Sequence, residues 1–404
     1  MLSHSTHYLL DKAAAGERLS YTEGLRLYAE ADLLALGVAA NKARQVHVPG
    51  RTVTYLIDRN INYTNVCTTN CTFCGFYRLP GHPEAYVRSK EDIVQRIQEL
   101  VDLGGTRILM QGGHHPHLPF DWYLELLTCI RSHFPSIQID AFSPSEIDHF
   151  AQLYGMSHRN VLQELIAVGL TGLPGGGGEI LDDTVRQRVS PKKLQTDTWL
   201  SVMRIAHSLG LTTTATMVIG LGETLEQRIR HLQRIRDVQE ASVQQYSNGF
   251  VAFVSWPVQH SSRTSLGRSR HREQYGATAH EYLRHVAMAR LFLDNVRHHQ
   301  ASWVTQGPKV GQISLYFGID DYGSTMIEEN VVSAAAHDTY RSMGEGDIHM
   351  LIRNAGYIPA QRDSQYTILR TFESPHASPA PTPIQHKPRP SRATVEVNSP
   401  QQSQ

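Results

Sequence analysis

The 404-residue chain holds only four cysteines, too few for the disulfide lattice that stabilises small secreted proteins. It also lacks net charge. Thirty-eight Lys and Arg balance 38 Asp and Glu, which excludes polybasic, histone-like binding, so no nucleic-acid partner is expected. No apolar run approaches the roughly 18 residues that suggest a membrane helix, so no membrane span is expected. The start, Met1-Leu2-Ser3-His4, has neither a basic opening nor a following apolar segment with a small-residue cleavage site, which points to the cytoplasm. Aromatics reach only 8%, yet 40% of residues are hydrophobic, enough to pack a core in one large domain with appendages or in two ordinary ones.

What is present is strongly organised. Ser20 and Glu23 have capping-box spacing before an apolar pattern, and Asp32 can cap a second helix, so residues 1–50 read as a helical preface. Strand-like runs then alternate with helix-like ones. Strands are expected at 52–57, 107–110, 137–142, 169–173, 212–219, 250–254 and 301–305. Helices are expected at 90–103, 120–133, 157–168, 192–209, 225–239 and 278–297. Such alternation predicts parallel β/α units, here an α/β fold of the (β/α) barrel type, full or nearly full, over 51–310 and completed by 311–373. Residues 374–404 carry seven of the 19 prolines and almost no large apolar side chains, the composition of a disordered tail.

In parallel barrels the chemistry sits on loops after the C-terminal strand ends. The glycine-rich and polar segments fall there: Cys67 to Arg78, Gln111 to His115, Ser143 to Glu146, Pro174 to Glu179, Gly220 to Glu223 and Trp256 to Gln259. Cys67, Cys71 and Cys74 have C-x3-C-x2-C spacing. Three thiolates on one short loop can hold three irons of a cubane cluster and leave the fourth open. A zinc site, which wants four ligands, and three buried structural cysteines are the competing readings. No Lys-Ser/Thr follows Gly175 to Gly178, so the phosphate-loop reading fails. Most of the 22 histidines, such as His298-His299, sit in polar stretches that read as solvated faces. Cys129 reads as a small packed side chain.

The cysteine spacing, with Phe73 directly before the third cysteine and a strand ahead of the loop, resembles the radical S-adenosylmethionine superfamily. The segments Asp58 to Arg78, Gln111 to Pro116, Ala141 to Ile147, Pro174 to Leu181, Arg290 to Asn295, Gln300 to Gly307 and Gly323 to Asn330 are similar to one branch of it. That branch contains the futalosine-pathway enzymes of menaquinone biosynthesis and deazaflavin synthase, and the likeness runs from about residue 20 to 368. It implies a [4Fe-4S] cluster on Cys67, Cys71 and Cys74, and S-adenosyl-L-methionine (SAM) as cofactor. Phe73 would lie near the adenine, Gln111, Gly112 and Gly113 at the methionine end, and Glu179 at the ribose hydroxyls.

The reaction implied is a cyclisation. A 5′-deoxyadenosyl radical takes a ribose hydrogen from dehypoxanthine futalosine, and the carbon radical adds to the tethered benzoate ring. A reducing partner such as flavodoxin or ferredoxin is implied as well. Aminofutalosine synthase, a deazaflavin synthase component and, from another class, a non-catalytic metal-binding interaction protein are the rivals. His114 or His115 would accept the final proton, an unperturbed imidazole titrating near pH ~6.5, and a surface histidine pair is the alternative. Glu328 and Glu329 would orient substrate hydroxyls, or merely open a helix. Arg78 or Lys309 would meet the substrate carboxylate.

Overall fold

The computed structural model describes residues 5–336 and 342–374. The tail expected to be disordered lies, beyond Ser374, outside the described residues. Helix α1 (Thr6–Ala14) precedes the two anticipated N-terminal helices, α2 (Tyr21–Glu30) and α3 (Leu33–His47). The local signals are realised: Ser20 Oγ accepts from Glu23 N–H (3.3 Å), the Glu23 carboxylate accepts from Ser20 N–H (2.8 Å), and Asp32 accepts from Leu34 and Ala35.

The next run, 52–61, bends at Ile57 into β1 (Thr52–Leu56) and β2 (Asp58–Ile61). There follow α4 (Lys90–Asp102), β3 (Arg107–Met110), α5 (Phe120–His133), β4 (Gln138–Ala141), α6 (Pro144–Tyr154), α7 (His158–Ala167) and β5 (Gly172–Leu173). Then come α8 (Asp183–Val189), α9 (Thr196–Ser208), β6 (Thr212–Ile219), α10 (Leu225–Tyr246), β7 (Phe250–Pro257), α11 (Ala279–Phe292) and β8 (His298–Gln300). The chain finishes with α12 (Trp303–Gln306), α13 (Pro308–Ser314), β9 (Asp321–Ser324), α14 (Val331–Ala335), α15 (Glu345–Asn354), β10 (Ile358–Arg362) and β11 (Ile368–Thr371).

The bent first run closes the barrel. Its second half pairs in parallel with β3, from Asp58↔Arg107 to Ile61↔Met110. Parallel pairing continues strand by strand to β9, and β9 returns to β1 through Thr54↔Asp321 and Leu56↔Ser324. The bridge Arg59↔Ile327 completes the seam. Below it, β10 pairs in parallel with β1 and antiparallel with β11. The turn after β10 underlies the barrel floor, where Ser364 Oγ donates to Asp140 (2.8 Å) and Ser364 N–H to Gln138 (2.8 Å).

Several boundaries differ from expectation. The 278–297 helix stops at Phe292, and the strand expected at 301–305 lies at 298–300. Asp320, far along the chain, decides this. Its carboxylate accepts from His299 N–H (2.8 Å), sits 2.6 Å from His298 Nδ1 and pairs with Arg290. His298 and His299 are therefore a strand inside the fold and not a solvated face. Ser143 to Glu146, read as loop, opens α6, with Pro144 in its first turn and Ser143 as cap. The 192–209 helix begins only at Thr196. Among the described residues no helix is long and apolar enough to cross a membrane.

Candidate active site

The loop after β2 folds back on itself. Cys67 N–H donates to the Arg78 carbonyl (2.9 Å), Arg78 N–H to the Asn65 carbonyl (2.8 Å) and Cys74 N–H to the Cys71 carbonyl (3.1 Å). The Thr72 N–H and hydroxyl both donate to the Val189 carbonyl, each at 2.9 Å. This closure turns Cys67, Cys71, Cys74 and Phe73 toward one cavity of ≈ 250 Å³. All three cysteines are free. Burial pushes the Cys71 thiol up to about 12 and raises Cys74 too; such thiols keep their protons until a metal displaces them. Among the described residues no three His, Cys, Asp or Glu side chains converge on one point, as a single ion would require. Three thiols around a shared cavity suit a cluster with one thiolate per iron better than a structural zinc.

The opposite wall is the end of β3. At Gly113 a Cβ would stand 2.1 Å from the Val66 carbonyl oxygen and 2.7 Å from Cys67 Cβ, so only glycine lets this strand end approach the cysteine loop. Gly112 N–H donates to Glu146 Oε1 (3.0 Å), which also accepts from Tyr63 (2.7 Å), while Ser143 Oγ donates to Oε2 (2.8 Å). Glu146 is only 2% exposed. That burial outweighs the hydrogen bonds and raises its carboxyl to about 7. Gln111 Nε2 donates to the Phe142 carbonyl (3.1 Å). A third wall carries Gly176, Gly177 and Glu179.

Lys193 Nζ donates to Glu179 Oε1 (2.6 Å) and lies 5.7 Å over the Phe73 ring. Burial alone would lower the lysine, but the carboxylate beside it holds it above its ordinary value. Glu179 Oε2 is buried without a hydrogen-bond partner, with Arg186 at 3.6 Å. It is an acceptor facing a cavity, as hydroxyl recognition requires. His114 lines the same cavity, its Nε2 2.9 Å from Ser145 Oγ and its ring stacked on His149 at 4.7 Å. Burial, then the neighbouring His149 and Lys193, hold it well below the usual imidazole range, so it is neutral at pH 7.

A second cavity, ≈ 280 Å³, occupies the barrel lumen and shares Gln111, Gly176, Trp256, Thr305, Val331 and Val332 with the first. Its upper walls include Trp303 and Met326, and its sides Asn60, Thr214 and Gln300. At the floor Arg107 pairs with Asp58 and lies 3.4 Å from Asp140. Beside it Arg362 donates to Asp321 at 2.5 and 3.0 Å. Burial raises Asp140 above the usual carboxylate range, against the pull of Arg107.

The structure thus brings together Cys67, Cys71, Cys74, Phe73, Gln111, Gly112, Gly113, Glu179 and His114. It places others elsewhere. His115 Nδ1 accepts from the His117 and Leu118 N–H groups (3.1 Å each), lines neither cavity and shapes the following turn. Glu328, expected to be catalytic, also lines neither cavity. Its carboxylate receives Arg59 Nε (2.8 Å), Arg88 (3.2 Å) and Arg96, and this arginine cluster ties the segment after β9 to β2 and α4. Glu329 reaches the lumen wall, but its carboxylate accepts the N–H groups of Val331 (2.7 Å) and Val332 (2.6 Å) and so caps α14. Arg78 is held by Glu84 (2.7 Å), Lys309 is exposed, and Cys129 is half-buried beside His133.

Sequence reasoning missed Glu146, Lys193 and the whole lumen. A signal for part of the lumen exists: Asp140 stands between Ile139 and Ala141 in β4, and Arg107 heads the apolar run Ile108-Leu109-Met110 of β3.

Residues 61–235 match the Radical SAM superfamily, and residues 247–375 the CofH/MqnC C-terminal region. The chain is 46% identical over 370 residues, 92% of its length and 96% of the relative's, to a cyclic dehypoxanthine futalosine synthase of Halalkalibacterium halodurans. It is 43% identical, over 92% of this chain and 90% of the relative, to the protein of that name from Streptomyces coelicolor. To an aminodeoxyfutalosine synthase of Thermus thermophilus it is 34% identical, covering 90% and 96%. Among solved structures, HydG, a maturase of the [FeFe]-hydrogenase, superposes with TM-score 0.69 at 15% identity, covering 88% of this chain and 76% of that one. Methylornithine synthase gives 0.64 at 18%, covering 86% and 95%. At such identities these two speak for the fold alone.

Proposed function

The chain belongs to the radical SAM superfamily and, within it, to the family of cyclic dehypoxanthine futalosine synthases, and from that premise we propose that it closes a ring in dehypoxanthine futalosine by joining a ribose carbon to the benzoate ring. The observation that carries this reading is identity of 46% sustained over 96% of a relative of that name.

Cys67, Cys71 and Cys74 would hold the [4Fe-4S] cluster. Phe73, Gln111, Gly112, Gly113 and Glu179 would surround SAM. Together these groups supply, when bound, a one-electron cleavage that yields a carbon radical. The chain's own residues do the rest. Glu146 holds Gly112, and Gly113 holds the cysteine loop against β3, so the cofactor wall has one geometry. The lumen, continuous with that cavity, seats the substrate, and its tryptophans and Met326 keep water and stray hydrogen donors away while the reacting carbons are aligned. His114, neutral and lining the upper cavity, takes up the proton that the cyclised radical releases, along with one electron, when the ring regains aromaticity. Thiols destined for such a cluster call for a reducing compartment, which supports the cytoplasm as the site of action.

The test is anaerobic incubation of the iron-loaded protein with dehypoxanthine futalosine, SAM and dithionite, followed by mass analysis. The spirocyclic product is expected. Turnover only of an aminodeoxyfutalosine synthase substrate would replace this reading with that one.

A further inference from the structure

Five polar atoms of residues lining the lumen are buried without a hydrogen-bond partner among the described residues: Asn60 Oδ1, Arg107 Nε, Asp140 Oδ1, Ser324 Oγ and the Tyr366 hydroxyl. Buried polar groups are nearly always paired. Here both donors and acceptors are left over around one cavity, which suits a ligand that can serve both.

Strand register puts two of the acceptors level. Asn60 pairs with Leu109, Leu109 with Asp140, Asp140 with Gly172 and Gly172 with Thr212. Asn60 and Asp140 therefore stand on one tier of the barrel, two strands or about 10 Å apart. Each is only 6% exposed. At Gly172 a Cβ would stand 2.1 Å from Asp140 Oδ1, and its absence lets that carboxylate lie across the tier. Gln111, two residues on from Leu109, lines the cofactor cavity as well as the lumen. The tier thus lies about 7 Å below the junction of the two cavities, two residues' rise along a strand. A sugar ring and one hydrogen bond fill that height.

Charge decides which end of a substrate the tier can take. The two cations that line the lumen are already paired: Arg107 lies between Asp58 and Asp140, and Arg362 donates twice to Asp321. Glu329 adds a further carboxylate to the wall. An incoming carboxylate would meet these acids and no unpaired cation, and an unmatched buried charge is strongly disfavoured. Hydroxyl groups meet no such barrier, because each can donate to Asn60 or Asp140 and accept from Arg107.

Resting on the proposed function, whose substrate carries a sugar at one end and a benzoate at the other, we propose that Asn60 and Asp140 hold the ribose hydroxyls. The sugar then lies on this tier, its reacting carbon toward Gln111 and the cofactor cavity, and the benzoate carboxylate points away from the floor. Trp303 and Met326, higher in the lumen, flank the aromatic ring.

The experiment is a cycle between side chain and substrate group. N60A, D140A and D140N are compared with wild type on dehypoxanthine futalosine, on its 2-deoxy and 3-deoxy analogues and on the benzamide that replaces its carboxylate. KM and kcat of spirocycle formation are measured, and binding of each compound is read separately from the fluorescence of Trp256 and Trp303, both in the lumen wall. N60A and D140A should weaken binding of the natural compound about three- to tenfold, the loss of one hydrogen bond, with kcat much less affected; D140N should recover part of it. One deoxy analogue should bind wild type that much more weakly and lose nothing further in N60A or D140A. D140A should weaken benzoate and benzamide by the same factor. Additive losses with both deoxy analogues overturn the proposal. So does a D140A protein that binds the benzoate more tightly than wild type while leaving the benzamide unchanged, the sign of a carboxylate on the floor. Dithionite-driven cleavage of SAM without substrate, expected to be equal in all four proteins, shows that a weakened variant is folded. A wild type that binds dehypoxanthine futalosine but yields no spirocycle overturns the enzymatic reading while the fluorescence cycle still judges the tier; product formed with additive cycles does the reverse.

Discussion

Replacing Glu146 by glutamine isolates one buried charge. In the folded protein the carboxyl titrates at about 7 against an ordinary 4.5, because burial costs the charged form more than Tyr63, Gly112 and Ser143 return. A raised folded value means that the native state holds a proton the unfolded chain has already released. The contribution is therefore fully present below pH ~4.5 and is lost as pH rises through ~7. At 1.36 kcal/mol per unit, the loss across that window is about 3 kcal/mol. Glutamine keeps the acceptor for Tyr63 and Gly112, and its amide can face the rotatable Ser143 hydroxyl, so E146Q should fold and lack this pH term.

Urea unfolding of the iron-free protein and variant at pH 5 and pH 8 measures the effect, since titrations elsewhere are common to both and cancel. The variant should gain about 2.5 kcal/mol on wild type between the two values, pH 5 lying already above the unfolded carboxyl's ~4.5. Parallel pH profiles would refute the reasoning. E146A provides the contrast: it leaves the Tyr63 hydroxyl and Gly112 N–H buried without an acceptor, at about 1–3 kcal/mol each.

Three further outcomes follow from the geometry. G113A forces a Cβ to within 2.1 Å of the Val66 carbonyl, so reconstituted iron and sulfide per chain should fall well below wild type while far-ultraviolet circular dichroism is kept; full loading would contradict the packing. R362M strands Asp321, which is fully buried, and should cost about 3–5 kcal/mol, whereas the double variant R362M/D321N should recover much of it; a double variant no better than the single one argues against the pair. E328Q removes the charge that three arginines share and should cost about 1–3 kcal/mol in unfolding, with dithionite-driven SAM cleavage unchanged. Lost cleavage in a folded E328Q would restore this residue to the chemistry.

The parts of the fold readable in one dimension are those whose physics is local. A capping box needs only Ser20 and Glu23 three residues apart, and alternation of β and α runs needs only windows of ten or so residues, so the parallel barrel was legible before its closure could be. Boundaries failed where a distant group intervened. His298 and His299 look like a polar surface until Asp320 reaches them from just ahead of β9. Glu328 looks like an acid that orients substrate or opens a helix until arginines from β2, α4 and the segment before α4 meet it. Glu146 looks like a loop residue because nothing near it in sequence says that Tyr63 and Gly112 will share its oxygens.

The same division runs through the site. Three cysteines within eight residues determine by their spacing alone that thiolates can converge, because a short loop has little freedom to part them, and four glycines before Glu179 determine that backbone can lie close to a ligand. Tertiary structure decided what those groups face. The lumen floor is assembled from Arg107, Asp140, Asp321 and Arg362, which the chain scatters over more than two hundred positions and only barrel closure unites. Short-range geometry is written in neighbouring residues; charge compensation and burial depend on which remote surfaces meet, and those are settled when the strands close.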